Sequence, residues 1–368
     1  MYDEDFYNKL NAVVKSLSGE RLIASFKTAL ACLIGILIGK IFYLAMPQWI
    51  LITIIVVMAT NIRIGGTIRK SYFQLLGTII GAFLAAIALF FIGNHLDIIH
   101  LLLILLIGIF AYLASSSTDI AQFGLLGATT MVMILDARAP TLKTAIDRTL
   151  EIFLGVLIAI IVSRFVFPRH AKKLLRASIT HTLKQFQALF EFFVTKELTP
   201  NSLREQEKIE NNMIIDILKQ NTLLQEAINE DPRVKKKRFI YQSIFLLERK
   251  LLRSIYVLRQ TILAESTRIR CFSKNREFTE LHRGILNLFD FLNALSSEQT
   301  PIDTLPPKEE IYKVIDEVIQ FLFKSTGKSY QIINIHAFEF CLAHLVGILY
   351  KLEKCLHKLD SNQNLIED

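Results

Sequence analysis

Six apolar stretches follow one another in the first half of the chain, at residues 22–46, 48–62, 72–92, 97–114, 120–135 and 144–167. A bilayer core takes about twenty apolar residues per helix, fewer where the bilayer thins or a neighbour covers an end. In hydrocarbon every backbone N–H and C=O must be satisfied within the protein, so a chain of this pattern has to become a bundle of helices. The second and fifth stretches are short. In carriers such segments mark the neighbourhood of a binding site; elsewhere they are helices half covered by protein. Asp, Glu, Lys and Arg crowd instead into residues 169 to 368. The expected architecture is an all-α membrane protein in three parts: a cytoplasmic N-terminal segment, 1–21, a six-transmembrane-helix bundle, 22–167, and a cytoplasmic helical-bundle domain, 168–368.

Basic residues set the orientation. Lys9, Lys15 and Arg21 precede the first span, Arg63, Arg69 and Lys70 separate the second from the third, and Arg169, Lys172, Lys173 and Arg176 follow the sixth. The connections on the opposite side contribute only Arg138 and Lys143. Lys and Arg stay on the cytoplasmic side, so both termini are expected inside, in a multi-pass protein of the inner membrane. The first twenty residues are polar, with Asp3, Glu4, Asp5 and Lys9 ahead of any apolar run, and read as no cleavable signal peptide. The net charge of +8 is accounted for by this placement beside the spans, and nucleic acid is not an expected partner.

A faint repeat runs through the spans. Lys70-x6-Gly77-x3-Gly81, entering the third, corresponds 78 residues later to Arg148-x6-Gly155-x3-Ala159, entering the sixth. Three spans per unit is an odd number, so the two units are expected to be inverted, an arrangement that builds carriers with a midplane site.

After Pro168 the pattern changes to amphipathic helices, expected near 169–197, 202–229, 233–271, 276–296, 307–326 and 329–359. In the third, Ile240, Ile244, Leu247, Leu251, Leu258 and Ile262 recur at three- and four-residue spacing, a stripe that should be buried in a bundle. The run from Arg233 to Arg238 reads as a solvated helix face or a contact to anionic lipid. No Gly-rich phosphate loop or HExxH is present, and the histidines, His336 and His344 among them, are dispersed. The four cysteines, Cys32, Cys271, Cys341 and Cys355, have no ligand spacing and read as reduced packing residues. Neither a metal nor a cofactor is expected. Ser115 to Asp119 is a polar loop between spans rather than a nucleophile, and the chain is not expected to be an enzyme.

Ionisable groups inside spans cost several kcal/mol unless paired or hydrated, which makes them the first functional candidates. They are Lys27 and Lys40 in the first span and Asp147, Arg148 and Glu151 in the sixth. Arg148 and Glu151 are three residues apart and share a helix face, as do Asp147 and Glu151 at four. Such an Arg can bind an anion and such a carboxylate can carry a proton; a structural ion pair is the alternative. Lys27 and Lys40 lie roughly 20 Å apart along an ideal helix and cannot grip one small anion together.

The segments Pro47-Gln-Trp49-x3-Thr53, Gly66-Thr67-Ile-Arg69 and Leu76-Gly77-Thr78-x2-Gly81 resemble the fusaric acid resistance and aromatic acid exporter family, as does Arg148-x2-Glu151-x3-Gly155. The likeness covers residues 20 to 170, and the second half only in architecture. The chain departs from it at Gln74, where the family usually has Arg, leaving Arg69 or Lys70 to supply that charge, and at Glu151-Ile152, where Asp-Thr is usual. The resemblance implies proton-coupled efflux of aromatic or other weak organic acids, with a small organic anion as substrate and the lipid bilayer as surroundings. It places Trp49, Thr53, Arg69, Lys70, Gln74 and the buried charges along the transport path, and assigns Pro47, Gly77, Thr78, Gly81 and Gly155 to helix packing. A homodimer and a periplasmic adaptor protein are the partners it brings. Two other readings stay open: an anion channel, since a plant family of malate-conducting channels has similar architecture, and a scaffold or sensor acting through the cytoplasmic half.

Overall fold

The structure is a computed structural model and describes residues 19–44, 46–58, 63–92, 95–116, 120–136, 142–195, 200–264, 276–299, 305–325 and 329–360. Among these every regular element is a helix. The chain divides into two compact units, Met1–Ala171 and Lys172–Asp368.

The first unit contains α1 (Gly19–Ile41), α2 (Gln48–Met58), α3 (Ile64–Ile92), α4 (Leu96–Ala114), α5 (Ile120–Leu135) and α6 (Leu142–Phe165). Its outer surface is apolar, with Phe90, Phe91, Leu101, Ile104 and Tyr112 exposed, as a lipid-facing bundle requires. The interior falls into two clusters. One joins Ala82, Ala85 and Ala88 of α3 to Ile99, Leu103 and Phe110 of α4 and Met131, Ile134 and Leu135 of α5. The other joins Ala31 of α1 to Ile50, Ile54 and Val57 of α2 and Val156, Ala159 and Val162 of α6. Each cluster thus takes two consecutive helices from one triplet and the third helix from the other, and the α3–α6 contact links the two.

Glycines make the cross-triplet contacts close. A Cβ added to Gly77 of α3 would stand 2.5 Å from the Phe123 carbonyl O of α5, and one on Gly81 would stand 2.6 Å from the Gly127 carbonyl O. A Cβ on Gly155 of α6 would stand 2.8 Å from Thr53 Cβ and 2.9 Å from the Ile50 carbonyl O of α2. This is small-residue packing, which lets backbones approach where lipid offers no hydrophobic drive.

The helix ends differ from the sequence reading in two places. α1 stops at Ile41, not 46, because Tyr43 turns into the left-handed region at φ 50° while Leu44 N–H donates to the Gly39 carbonyl at 3.2 Å. This is a Schellman-like stop built on a residue other than the usual glycine. α3 begins at Ile64, not 72, because Gly65, Gly66 and Thr67 are buried and helical, so Arg69 and Lys70 lie on its first two turns, half-buried. Ile64 N–H reaches the Arg169 carbonyl at 3.4 Å, placing the start of α3 beside the end of α6.

The second unit contains α7 (Ala171–Thr195, whose first residue closes the first unit), α8 (Pro200–Glu230), α9 (Pro232–Lys236), α10 (Arg238–Ala264), α11 (Arg276–Ser296), α12 (Lys308–Ser325) and α13 (Ser329–Asp360). The expected helix from 233 is broken at Lys237, and its stretch beyond Ala264, with Cys271, lies outside the described residues. Ile240, Ile244, Leu247, Leu251 and Leu258 are buried, chiefly against α13, while the side chain of Ile262 lies outside the description. Of the basic run, Lys235 and Lys236 are exposed, and Lys237 Nζ donates to the Leu359 carbonyl at 2.7 Å. Arg176 of α7 ties the ends of other helices, donating to the Leu295 and Ser296 carbonyls and pairing with Asp360 at 2.6 Å.

Among the described residues four helices are long and apolar enough to cross a bilayer: Arg21–Ile41, Ile64–Ile92, Asp97–Ala114 and Ile335–Asp360. The last is a segment of α13 whose Leu345, Val346, Leu349, Leu352 and Leu356 are buried inside the second unit. α2 and α5 are apolar and shorter, and α6 carries the charges of its first half.

Candidate functional site

The close approach at Gly155 fixes the geometry that follows. One turn before that glycine, Glu151 meets the start of α2, and Arg148 follows one turn further on the same face. Glu151 is 1% exposed, and its Oε1 accepts a hydrogen bond from the Met46 backbone N–H at 2.7 Å. Its Oε2 has no partner among the described residues. A carboxylate so placed holds the turn between α1 and α2 at the positive end of α2.

Arg148 is 8% exposed, and its guanidinium carbon lies 3.9 Å from the centroid of the Trp49 ring. Nη1 approaches Met133 Sδ at 2.9 Å and Nη2 approaches Met46 Sδ at 3.6 Å. A thioether is a weak acceptor, and Arg148 Nε and Trp49 Nε1 have no partner among the described residues. Glu151 acts on Arg148 through space, yet no ion pair to Arg148 is formed among the described residues. The arrangement is a buried cation stacked on an aromatic face, with unused donors, beside a carboxylate with one free oxygen. A planar carboxylate is the kind of ligand that fits those donors. Met46, in contact with both charges, is exposed, so the site borders the surface there.

A second polar feature runs along α3. Thr67, Ser71, Gln74 and Thr78 follow one another at four, three and four residues, and each is at most 2% exposed. Ser71 Oγ, Gln74 Oε1 and Thr78 Oγ1 lack a hydrogen-bond partner among the described residues. Unpaired polar atoms cost about 1–3 kcal/mol each in a protein interior unless water or solute meets them.

The remaining expected residues separate. Lys27 is buried toward the start of α1, where the charge of Arg169 acts on it. It is fourteen residues, about 21 Å of helix, from the end of α1 that meets the Arg148 site. Lys40 is exposed in the last turn of α1. Asp147 is half-buried and close enough to act on Glu151. Pro47 packs against Gly39, and Thr53 against Gly155. Gly77 and Gly81 are spent on α5, within one chain. Ser115 Oγ donates to the Ala111 carbonyl at 2.9 Å as a helix end, and residues 117 to 119 lie outside the description. No group of three His, Cys, Asp or Glu side chains that could hold a metal occurs among the described residues. Sequence reasoning missed Met46 and Met133, which carry no periodic signal, and Gly127, whose close approach to Phe110 shows only in space. Ser71 could have been found from its spacing to Thr67, Gln74 and Thr78.

A family model described as the fusaric acid resistance protein family matches residues 21–294. The inner membrane protein YeeA of Escherichia coli (strain K12) is 25% identical over 239 residues, which is 63% of this chain and 63% of that protein. The p-hydroxybenzoic acid efflux pump subunit AaeB of Edwardsiella ictaluri (strain 93-146) is 27% identical over 164 residues, 41% of this chain and 25% of that one. The chain spans less than two thirds of the length of these two curated relatives.

Proposed function

We propose, on the premise that the chain belongs to the fusaric acid resistance protein family, that it is an inner-membrane exporter of aromatic or other weak organic acids, driven by the proton gradient. The observation that carries this reading is the Arg148 guanidinium, buried on the Trp49 ring with Nε unpartnered and in no ion pair among the described residues. A buried charge without a partner is expensive, and a substrate carboxylate relieves it. An aromatic acid adds a ring that Trp49 can stack. The AaeB relative bears the name of a p-hydroxybenzoic acid efflux pump subunit, which supports an aromatic acid as substrate; a periplasmic adaptor protein is part of the proposal.

Glu151 is the coupling group in this reading. Ionised, it holds the Met46 N–H through a charge-assisted bond and pins the α1–α2 turn. A proton arriving at Glu151 weakens that bond and frees the turn, and loss of the proton restores it. Alternation between those two states is the link by which the gradient drives export.

The architecture proposed is six spans with both termini cytoplasmic and two inverted triplets. Its support is the packing of α3 on α5 through Gly77 and of α6 on α2 through Gly155, equivalent positions 78 residues apart. A homodimer is part of the proposal, with an interface other than Gly77 and Gly81.

The test is flux from proteoliposomes loaded with 4-hydroxybenzoate under an imposed pH gradient. Arg148→Ala is expected to lower the rate at least tenfold, and Glu151→Gln to leave a residual flux that no longer answers to the gradient. Wild-type behaviour of both variants overturns the assignment. The unpartnered polar face of α3 favours a second reading, an anion channel; steady currents without a proton requirement decide for it.

A further inference from the structure

A cavity of about 630 Å³ opens on the second unit between α10, the start of α12 and α13. Its long wall is one face of α13, on which Phe340, His344, Gly347, Lys351 and Lys354 succeed one another at four, three, four and three residues. Lys250 of α10 and Lys308 of α12 face it from the other sides. Most of this wall lies beyond residue 294, outside the segment that the family model matches.

We propose that this cleft binds a small planar carboxylate with an apolar body, an aromatic monocarboxylate by class. Four lysines line it against one acidic residue, Glu309. Lys250, Lys351 and Lys354 are exposed and in no ion pair among the described residues, so their charge is available to a ligand. The wall contains no arginine fork of the kind that recognises phosphate in a bidentate manner. The cleft is also built for a flat body. Phe340 and His344 stack nearly parallel, 7° apart with centroids at 5.9 Å. The imidazole is held by a hydrogen bond between His344 Nδ1 and Ser254 Oγ at 2.8 Å. Tyr312 lies opposite, with its hydroxyl on the Ala343 carbonyl at 2.9 Å and Lys308 Nζ 5.1 Å from its ring centroid.

Gly347 forms the floor. A Cβ there would meet only Tyr312 Oη, at 3.4 Å, so no neighbouring backbone demands a glycine at this point. Its effect is to leave space. The cavity volume falls in the range of small-molecule sites, roughly 300–1,000 Å³.

This inference rests on the exporter reading only for its choice of probe. The experiment is equilibrium binding of radiolabelled benzoate to the full chain in lipid nanodiscs, in wild type and in an Arg148→Ala background that removes the proposed membrane site. Binding is expected to persist in that background. It should fall at least tenfold in Gly347→Leu, which fills the floor, and in the double variant Lys351→Ala with Lys354→Ala, whose exposed side chains the fold does not need. Inorganic phosphate is expected not to compete. The proposal is overturned if Arg148→Ala alone abolishes binding, if both cleft variants bind as wild type, or if phosphate displaces benzoate as well as unlabelled benzoate does. Absence of proteoliposome flux in the wild-type chain, with cleft binding present, refutes the exporter reading and leaves this inference standing.

Discussion

At the scale of single residues, two buried carboxylates have different surroundings. Glu151 has a backbone N–H and a nearby guanidinium. Glu248, in α10, is fully buried with only Gln220 Nε2 on its Oε1 at 3.3 Å, and that amide is shared with Thr182 Oγ1 at 3.2 Å. Burial pushes the Glu248 carboxyl up to about 8 from 4.5, against the smaller pull of Gln220 and Arg249. Between those two values the unfolded chain has released this proton and the folded chain has kept it, so stability falls as pH rises through the window and levels off above it. The drop between pH 6 and 8 is on the order of 2 kcal/mol. Thermal unfolding of the purified chain at pH 6, 7 and 8 should show a declining midpoint in wild type. Glu248→Gln should remove the contribution of this site and unfold at a higher temperature at pH 8; an unchanged pH profile in that variant rules out Glu248 as the source. Arg148→Lys makes a narrower prediction at the first unit. It keeps the charge but not the flat face on Trp49, so export should show a raised KM with a smaller change in kcat, measured over a range of 4-hydroxybenzoate concentrations.

At the scale of helices, glycines divide by what stands beside them. Gly77→Ala and Gly155→Ala each bring a Cβ within 3.0 Å of a neighbouring backbone oxygen and should cost about 1–3 kcal/mol, seen as a lower unfolding midpoint in detergent. The Gly155 variant should also lose proton-dependent flux, because it moves α2 away from Glu151. Gly284→Ala, in α11, meets nothing within 4 Å and should stabilise by about 0.5–1 kcal/mol through helix propensity. The importance of Gly77, Gly81 and Gly155 was legible from their place in small-residue motifs on apolar helices. So were the breaks at Asp231-Pro232 and before Lys308, where proline ends or opens a helix. The end of α1 was not, since Tyr43 takes a left-handed conformation through its hydrogen-bonded turn and not through its identity. The start of α3 was hidden for the opposite reason: glycine is a poor helix former, yet Gly65 and Gly66 are buried within the helix. Of the site, Arg148 and Glu151 stood out because charge in an apolar run is rare. Trp49 and Thr53 were reached through the family motif, and Met46 and Met133 only through space, because thioethers in an apolar chain look like any other packing.

For the whole molecule, the decisive question is which helices cross the bilayer. The start of α3 meets Arg169 just past the end of α6, and at the other end His100 near the start of α4 lies 3.7 Å from Asp136 just past the end of α5. These two ties are those expected of antiparallel helices running between two opposite faces. Arg63, Arg69, Lys70, Arg164 and Arg169 gather at the first face, which supports the proposal that this face is the cytoplasmic one. α13 is the competing feature: residues 335 to 360 are long and apolar enough for a span, and counting them as a seventh would turn the C-terminus outward. Its apolar side chains are instead buried among α10, α11 and α12, and its ends carry Glu339, Lys351, Glu353, Lys354 and Lys358. A helix whose apolar face is already buried by protein gains little from lipid. Reporter fusions read this directly: a fluorescent protein that folds only in the cytoplasm and alkaline phosphatase, which is active only outside it, joined in turn after Ser116, Asp136, Pro168 and Asp360. Fluorescence is expected after Ser116, Pro168 and Asp360, and phosphatase activity after Asp136. Phosphatase activity after Asp360 with fluorescence after Pro168 makes α13 a seventh span and removes the cytoplasmic second unit. Phosphatase activity after both Pro168 and Asp360 makes the number of spans before Pro168 odd.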